Sequence, residues 1–234
     1  MAKMTEHTYR QFDIELEEIR RGVLQMGGMV EQQARNALEG LRSGDLALLE
    51  RVIEGDKAVN LEQIRLDDDC NHIIVRRQPA ASDLRLIMTA IKSVSDLERI
   101  GDEAKKIAKA ARRLHTSENT FTPRVGLAQC ADMALEMLQM ALDALARAST
   151  SSVDTIKQKD AEVDADFKSI MRQLITYMME DPRTITNSLE MLFIAKSIER
   201  IGDHAMNIAE HVVYLARGED VRCEKAQATR DGKA

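Results

Sequence analysis

The chain has 234 residues, with 39 Asp and Glu against 33 Lys and Arg and a formal net charge of -6. Aromatic residues make up only 3%, Trp is absent, and just 11 Gly and 3 Pro punctuate the chain, which excludes an all-β fold. The acidic balance argues against general nucleic-acid binding, which needs a basic face to displace counterions, and 44% apolar residues are enough for a core and exclude a disordered chain.

No stretch approaches the roughly 18 uninterrupted apolar residues of a membrane span. The segment from Met1 to Phe12 mixes charged and polar groups, without the apolar centre of a signal peptide. Cys70, Cys130 and Cys223 form an odd, sparse set that fits reduced thiols in a cytosolic protein, with Cys70 and Cys130 as small core residues.

The first helix is expected over about Tyr9 to Arg42. Phe12, Leu16, Ile19, Val23, Met26, Val30, Ala34, Ala37 and Leu41 recur there at steps of three and four. Ser43 and Gly44 break it, and a second helix runs from about Asp45 to Arg76, ended by Gln78-Pro79. A third starts near Ser82 as N-cap, carries Leu84, Ile87, Ile91 and Val94 on its core face, and runs to about Leu114. His115 to Thr122 is the expected linker, and Thr122-Pro123 reads as an N-cap with Pro at the first helical position. The fourth helix then spans about Pro123 to Ala148, presenting Leu127, Ala131, Ala134, Met137 or Leu138, Ala141 and Leu145. The fifth spans about Val153 to Glu180. The sixth runs from about Pro182, after the Asp181 cap, to Arg217, with Gly218 as its stop. Long helices joined by short connections make elongated bundles.

An internal repeat organises these helices. Glu98-Arg99-Ile100-Gly101-Asp102-Glu103-Ala104-Lys105-Lys106-Ile107-Ala108 returns as Glu199-Arg200-Ile201-Gly202-Asp203-His204-Ala205-Met206-Asn207-Ile208-Ala209. Eight of the 11 positions are identical, where chance gives about one. A weaker echo joins Asp56-Lys57-Ala58-Val59-Asn60 to Asp160-Ala161-Glu162-Val163-Asp164. The expected fold is therefore all-α: six long helices in two tandem three-helix bundles related by the repeat. The first occupies residues 1–115 and the second 123–218, with 219–234 a polar tail expected to be disordered.

The repeated acids fall where core residues belong. Residues i and i+4 share a helix face, so Glu98 pairs with Asp102, Glu199 with Asp203, and Asp160 with Asp164. Ile91 and Val94 lead to Glu98. Ile185, Leu189, Leu192 and Ala195 lead to Glu199. Asp160 interrupts Val153, Ile156, Val163 and Phe167, and Asp56 lies between Val52 and Val59. A buried carboxylate needs a partner, a proton or a metal. Three readings stay open: ion pairs with Arg99 and Arg200, cation binding, and a polar device fixing the bundle's register.

In the cation reading each half offers four donors to one cavity: Asp56, Asn60, Glu98 and Asp102 in the first, Asp160, Asp164, Glu199 and Asp203 in the second. Oxygen donors suit hard cations such as Mg²⁺ or Mn²⁺, and the identity stays open among Mg²⁺, Mn²⁺, iron and Zn²⁺. Asn60 stands where the second half has Asp164, so the first site should be the weaker. His204 is a candidate nitrogen ligand, against a surface or hydrogen-bonded role. Gly101 and Gly202 imply either close helix approach or space beside the acids. In the sixth helix Met191, Ile194, Ile198, Ile201, Ala205, Ile208, Val212 and Leu215 form a second apolar line, which fits either an interface or burial within one bundle.

No catalytic motif emerges. There is no HExxH, P-loop, GxSxG or dinucleotide glycine fingerprint, and no Glu-x-x-His of the ferritin-like di-iron type. A non-enzymatic chain whose long helical faces dock partners is the first reading; a ferritin-like metal-carboxylate enzyme is the alternative.

At the duplicated motifs the sequence closely resembles the PhoU family. The resemblance spans about residues 5–217. It rests on Pro79 to Arg85, on Leu97-Glu98-Arg99-Ile100-Gly101-Asp102, on the run from Ile198 to Glu210, and on the acid-rich second and fifth helices. It implies paired three-helix bundles with acidic E/D-x-x-x-D metal motifs, from which Asn60 departs. It also implies a cytoplasmic homodimer that is a negative regulator of phosphate uptake and of the phosphate-starvation response. Such a protein would link the ATPase subunit of a phosphate ABC transporter to the phosphate regulon's sensor histidine kinase. It would bind no nucleic acid and meet the membrane only through partners.

Overall fold

A computed structural model describes residues 2–117, 123 and 125–219, with side chains from Gln11 onward. Six helices follow one another: α1 (Ala2–Ser43), α2 (Leu46–Arg77), α3 (Ala81–Thr116), α4 (Leu127–Arg147), α5 (Val153–Glu180) and α6 (Ile185–Arg217). There is no strand among the described residues. The residues of the expected tail beyond 219, with Cys223, lie outside the described residues, as do 118–122 of the expected linker.

Most helix ends obey local rules. The Asp45 side chain accepts from Leu48 N at 2.9 Å and starts α2. Gln78 ends α2 in the left-handed region at φ 49, directly before Pro79. Gly218, at φ 75, closes α6 with its N–H on Tyr214 O. Asp181 caps a 3₁₀ turn (Pro182–Thr184) that opens into α6. Two expected starts move. The N-cap of α3 is Ala80, and Ser82 already lies inside the first turn. The helix α4 begins at Leu127 with Gly126 as N-cap, so Pro123 stands outside it. α3 also continues past the expected boundary to Thr116, where His115 Nε2 reaches Leu41 O of α1 at 2.9 Å.

Helices α1–α3 form one bundle and α4–α6 the other, and α3 and α6 make the largest helix–helix contact in the molecule. Their cross-contacts pair Arg113 with Glu190, Glu103 with Arg200, and Asp96 with Asn207. Numbers rise on α6 as they fall on α3, so the two helices run antiparallel. α1 meets α4 beside them, where Arg20 donates to Ala146 O at 3.0 Å and Arg42 to Asp132 at 2.5 Å. Gly27 permits that approach: a Cβ there would lie 2.5 Å from Leu142 Cδ2.

The second apolar line of α6 is satisfied inside the chain. Met191, Ile194, Ile198, Ile201, Ala205, Ile208 and Val212 are buried, because α6 packs on α3 of the other bundle as well as on α4 and α5. The line thus needs no second copy to cover it. Burial of side chains such as Ile198 (0% exposed) stabilises by about 1.5–3 kcal/mol each. Cys70 and Cys130 are buried free thiols, and burial pushes both up to about 12. Leu84, Ile185 and Leu189 are exposed at 39%, 41% and 39% instead of joining the core; at the start of α6 the buried face is Thr184, Asn187, Ser188 and Met191.

Candidate metal centre

The acids of the repeat lie where α3 faces α2 and α6 faces α5. Glu199 and Asp203 project from one face of α6, and α5 brings Asp164 to meet them. Oxygens of Asp164, Glu199 and Asp203 lie within 4.8 Å of one another, and among the described residues only this trio meets that criterion. Glu199 is buried, Asp164 half-buried and Asp203 exposed, so the cluster opens outward from the core. Asp160 lies one turn away on α5 and shares with Asp203 an open cleft of about 520 Å³.

Crowding of like charge marks the cluster. Although Asp203 keeps exposed surface, the packed helices strip part of its hydration. Glu199, Asp160 and Asp164 then repel its negative form, and together these effects push it up to about 6 against the pull of Lys196. Lys196, one turn before Glu199 on α6, holds both its oxygens at 2.5 and 2.6 Å. Its ammonium also lies 5.2 Å from the centre of the Phe167 ring. One cation therefore sits against Glu199, while the other carboxylates repel each other.

The first half is wired differently. Asp56, 2% exposed, is held by Lys105 Nζ at 2.5 Å and by Asn60 Nδ2 at 3.2 Å. Burial, with the charges of Asp102 and Asp56, pushes Glu98 above the usual carboxylate range, partly offset by Arg99. An ammonium group from α3 thus supplies the positive charge that a bound cation would bring. The repeat places Met206 at the position matching Lys105, so in the second half the ammonium comes instead from Lys196, one turn before Glu199.

Of the two guanidinium groups expected as counter-ions, Arg99 pairs with its neighbour Glu98, Nε at 3.7 Å, whereas Arg200 crosses to Glu103 of the other bundle at 3.2 Å rather than to Glu199. Helix spacing alone does not show which of several nearby cations turns inward. His204 does not join the three-carboxylate cluster. Asp96 of α3 accepts from His204 Nδ1 and His211 Nε2, both at 2.8 Å, and from Asn207 Nδ2 at 3.1 Å. An ionised carboxylate only accepts, so each ring nitrogen facing it carries a proton. Burial pushes Asp96 up, but these three bonds outweigh it and hold the carboxyl at about 2. The cluster clasps the two bundles together. Sequence reading missed Asp96 because it lies off the repeated motif; its only sequence trace is the three- and four-residue spacing of His204, Asn207 and His211.

The glycines of the repeat differ too. A Cβ on Gly101 would meet Val59 Cγ1 at 3.3 Å, a tight approach of α2. On Gly202 it would meet Met137 Cε at 3.5 Å, an ordinary contact.

The two bundles coincide with two copies of one domain: the PhoU domain matches at residues 23–111 and 127–212. The chain belongs to the PhoU family. A phosphate-specific transport system accessory protein PhoU homolog of Pseudomonas putida is 47% identical over 221 residues, 94% of this chain and 86% of that protein. The phosphate-specific transport system accessory protein PhoU of Escherichia coli K12 is 45% identical over 219 residues, 94% of this chain and 90% of that one. The crystal structure of PhoU from Pseudomonas aeruginosa superposes with a TM-score of 0.85 at 46% identity, covering 89% of this chain and all of that one. Membership in this family of accessory proteins goes with the two-bundle architecture derived above. Among the described residues no helix is long and apolar enough to cross a membrane.

For the divalent cation that the sequence resemblance implies, the second-half donor set fits. Three carboxylates converge, one of them is destabilised by its neighbours, and all donors are oxygen, as Mg²⁺ or Mn²⁺ prefer. The first-half set fits less well, since Asn60 replaces a carboxylate and no three carboxylates converge there among the described residues.

Proposed function

We propose that this protein is a cytoplasmic negative regulator of phosphate uptake and of the phosphate-starvation response. It acts as an adaptor between the ATPase subunit of a phosphate ABC transporter and the sensor histidine kinase of the same regulon. The observation that carries this reading is near-full-length similarity to phosphate-specific transport accessory proteins, at 45–47% identity. The site chemistry agrees with it. The acidic clusters lack the Glu-x-x-His ligands of a ferritin-like oxidase, and long antiparallel helices offer extended faces for partners.

In this reading Asp164, Glu199 and Asp203, with Asp160 beside them, hold a divalent cation that relieves their repulsion and ties α5 to α6. The bound ion supplies positive charge and fixed geometry. The chain's own residues do the rest: Lys196 neutralises one edge of Glu199, and the Asp96 clasp keeps α6 against α3. Homodimerisation belongs to the same proposal and rests on the family resemblance alone.

The deciding experiment is deletion of the gene. Starvation-response reporters should then stay active in phosphate-rich medium and return to silence on complementation. A reporter that remains silent in the deletion strain refutes the regulatory role. Purified protein should also capture the transporter ATPase and the kinase's cytoplasmic region.

A further inference from the structure

Two adjacent clefts of about 520 and 500 Å³ share Glu103, Lys106 and Arg200 and form one trough along the α3–α6 seam. Arg99, Lys106, Lys109 and Arg113 line it from α3, and Lys196 and Arg200 from α6. The stripe from Arg99 to Arg113 covers 14 helical steps, about 20 Å, or four turns. Glu103, Asp160 and Asp203 line it too, so six cations face three acids, an excess of positive charge in a chain of net charge -6.

Arg113 is tied to Glu190 and Lys196 to Glu199, and of the remaining charge part is uncommitted. Glu103 serves both Lys106 at 2.8 Å and Arg200 at 3.2 Å, leaving one positive charge in surplus there. Lys109 has no ion-pair partner among the described residues, and Arg99 has only the 3.7 Å approach of Glu98. Between the cations lies apolar surface: Phe193 is 58% exposed and borders the trough beside Ala110.

We propose that this trough is a docking groove for an acidic amphipathic helix of a partner protein. Its length matches four turns of helix, and its shape is the furrow between two antiparallel helices, which a third helix fills by ridge-into-groove packing. Phe193 offers an aromatic anchor for the partner's apolar face, and the flanking cations meet acidic residues on its edges. A nucleic acid or polyphosphate fits less well. Its charge repeats along its whole length, yet one end of the trough carries Asp160 and Asp203. A helix can place a neutral or basic residue at that end. The proposal depends neither on the cation site nor on the regulatory role.

The test uses the full-length protein and an 18-residue helical peptide with leucines at helical spacing flanked by glutamates. Its probes for comparison are a scrambled peptide of equal composition, a lysine-for-glutamate version and inorganic polyphosphate. Fluorescence anisotropy should show the acidic helix binding at least tenfold more tightly than the other three. Lys109→Glu with Phe193→Ala should weaken it at least tenfold; neither residue supports the fold, so circular dichroism should be unchanged. Equal binding of the scrambled peptide, tighter binding of polyphosphate, or indifference to the double substitution overturns the proposal. In cells, benzoylphenylalanine in place of Phe193 should crosslink to an acidic segment with helical apolar spacing. Crosslinks to nucleic acid, to a basic segment or to a second copy of this chain overturn it equally.

Discussion

Replacing Asp203 by Asn removes one charge from the three-carboxylate cluster at nearly constant volume. With its carboxyl raised from 3.8 to about 6, Asp203 binds a proton more tightly in the folded than in the unfolded chain. The fold therefore has no penalty from this group below about pH 4 and acquires one as pH rises through about 6. The shift corresponds to an upper bound of about 3 kcal/mol at 1.36 kcal/mol per unit. The exposure of Asp203 to water screens the repulsion, which brings the expected value to about 1–2 kcal/mol. In EDTA at pH 7.5, Asp203→Asn should thus be stabilised by that amount, raising the melting temperature by about 2–6 °C. At pH 4 the two proteins should melt together. Millimolar Mn²⁺ should stabilise the wild type at pH 7.5 by binding the folded state, lose this effect near pH 5 as Asp203 takes up its proton, and leave the variant almost unmoved. Differential scanning calorimetry across pH and Mn²⁺ concentration measures all of these outcomes. A variant that is destabilised in EDTA, or that keeps the full Mn²⁺ response, refutes the assignment of Asp203 to a repulsive cation site.

Three further outcomes follow from the same geometry. Lys105→Met leaves the buried Asp56 with Asn60 alone and should cost about 2–4 kcal/mol in urea unfolding, with Mn²⁺ restoring part of it; an unchanged midpoint would count against Lys105 as an internal cation. Gly202→Ala should gain up to about 1 kcal/mol in thermal unfolding from helix propensity, whereas Gly101→Ala should gain little because Val59 must give way. Asp96→Asn should lose the charge-assisted bonds to His204 and His211; since the carboxyl is held at about 2, wild type alone should shed about 2 kcal/mol as pH falls from about 4 to 2. Parallel acid titrations of the two proteins would show that the clasp contributes nothing.

The repeat of Glu-Arg-Ile-Gly-Asp and the spacing of apolar residues were enough to establish six helices in two related bundles. Periodicity reports which face of a helix avoids water, and caps such as Asp45 and Gly218 mark ends through interactions within a few residues. Where an end depends on weaker local preference, as at Leu127, the boundary moved. The convergence of Asp164, Glu199 and Asp203 was also legible, because i and i+4 acids on a core-facing stripe have few ways to be satisfied.

Tertiary structure decided what the stripes meet. The second apolar line of α6 has the same sequence signature whether a second copy or α3 covers it, and only packing shows that α3 does. Counter-ions depend on distances in space, so Lys105 holds Asp56, and Lys196 rather than Arg200 holds Glu199. The Asp96 clasp joins residues more than 100 positions apart, and helical periodicity carries no information about such contacts. A sequence records what each face wants to bury, while the choice of partner among chemically equal candidates is made by the fold.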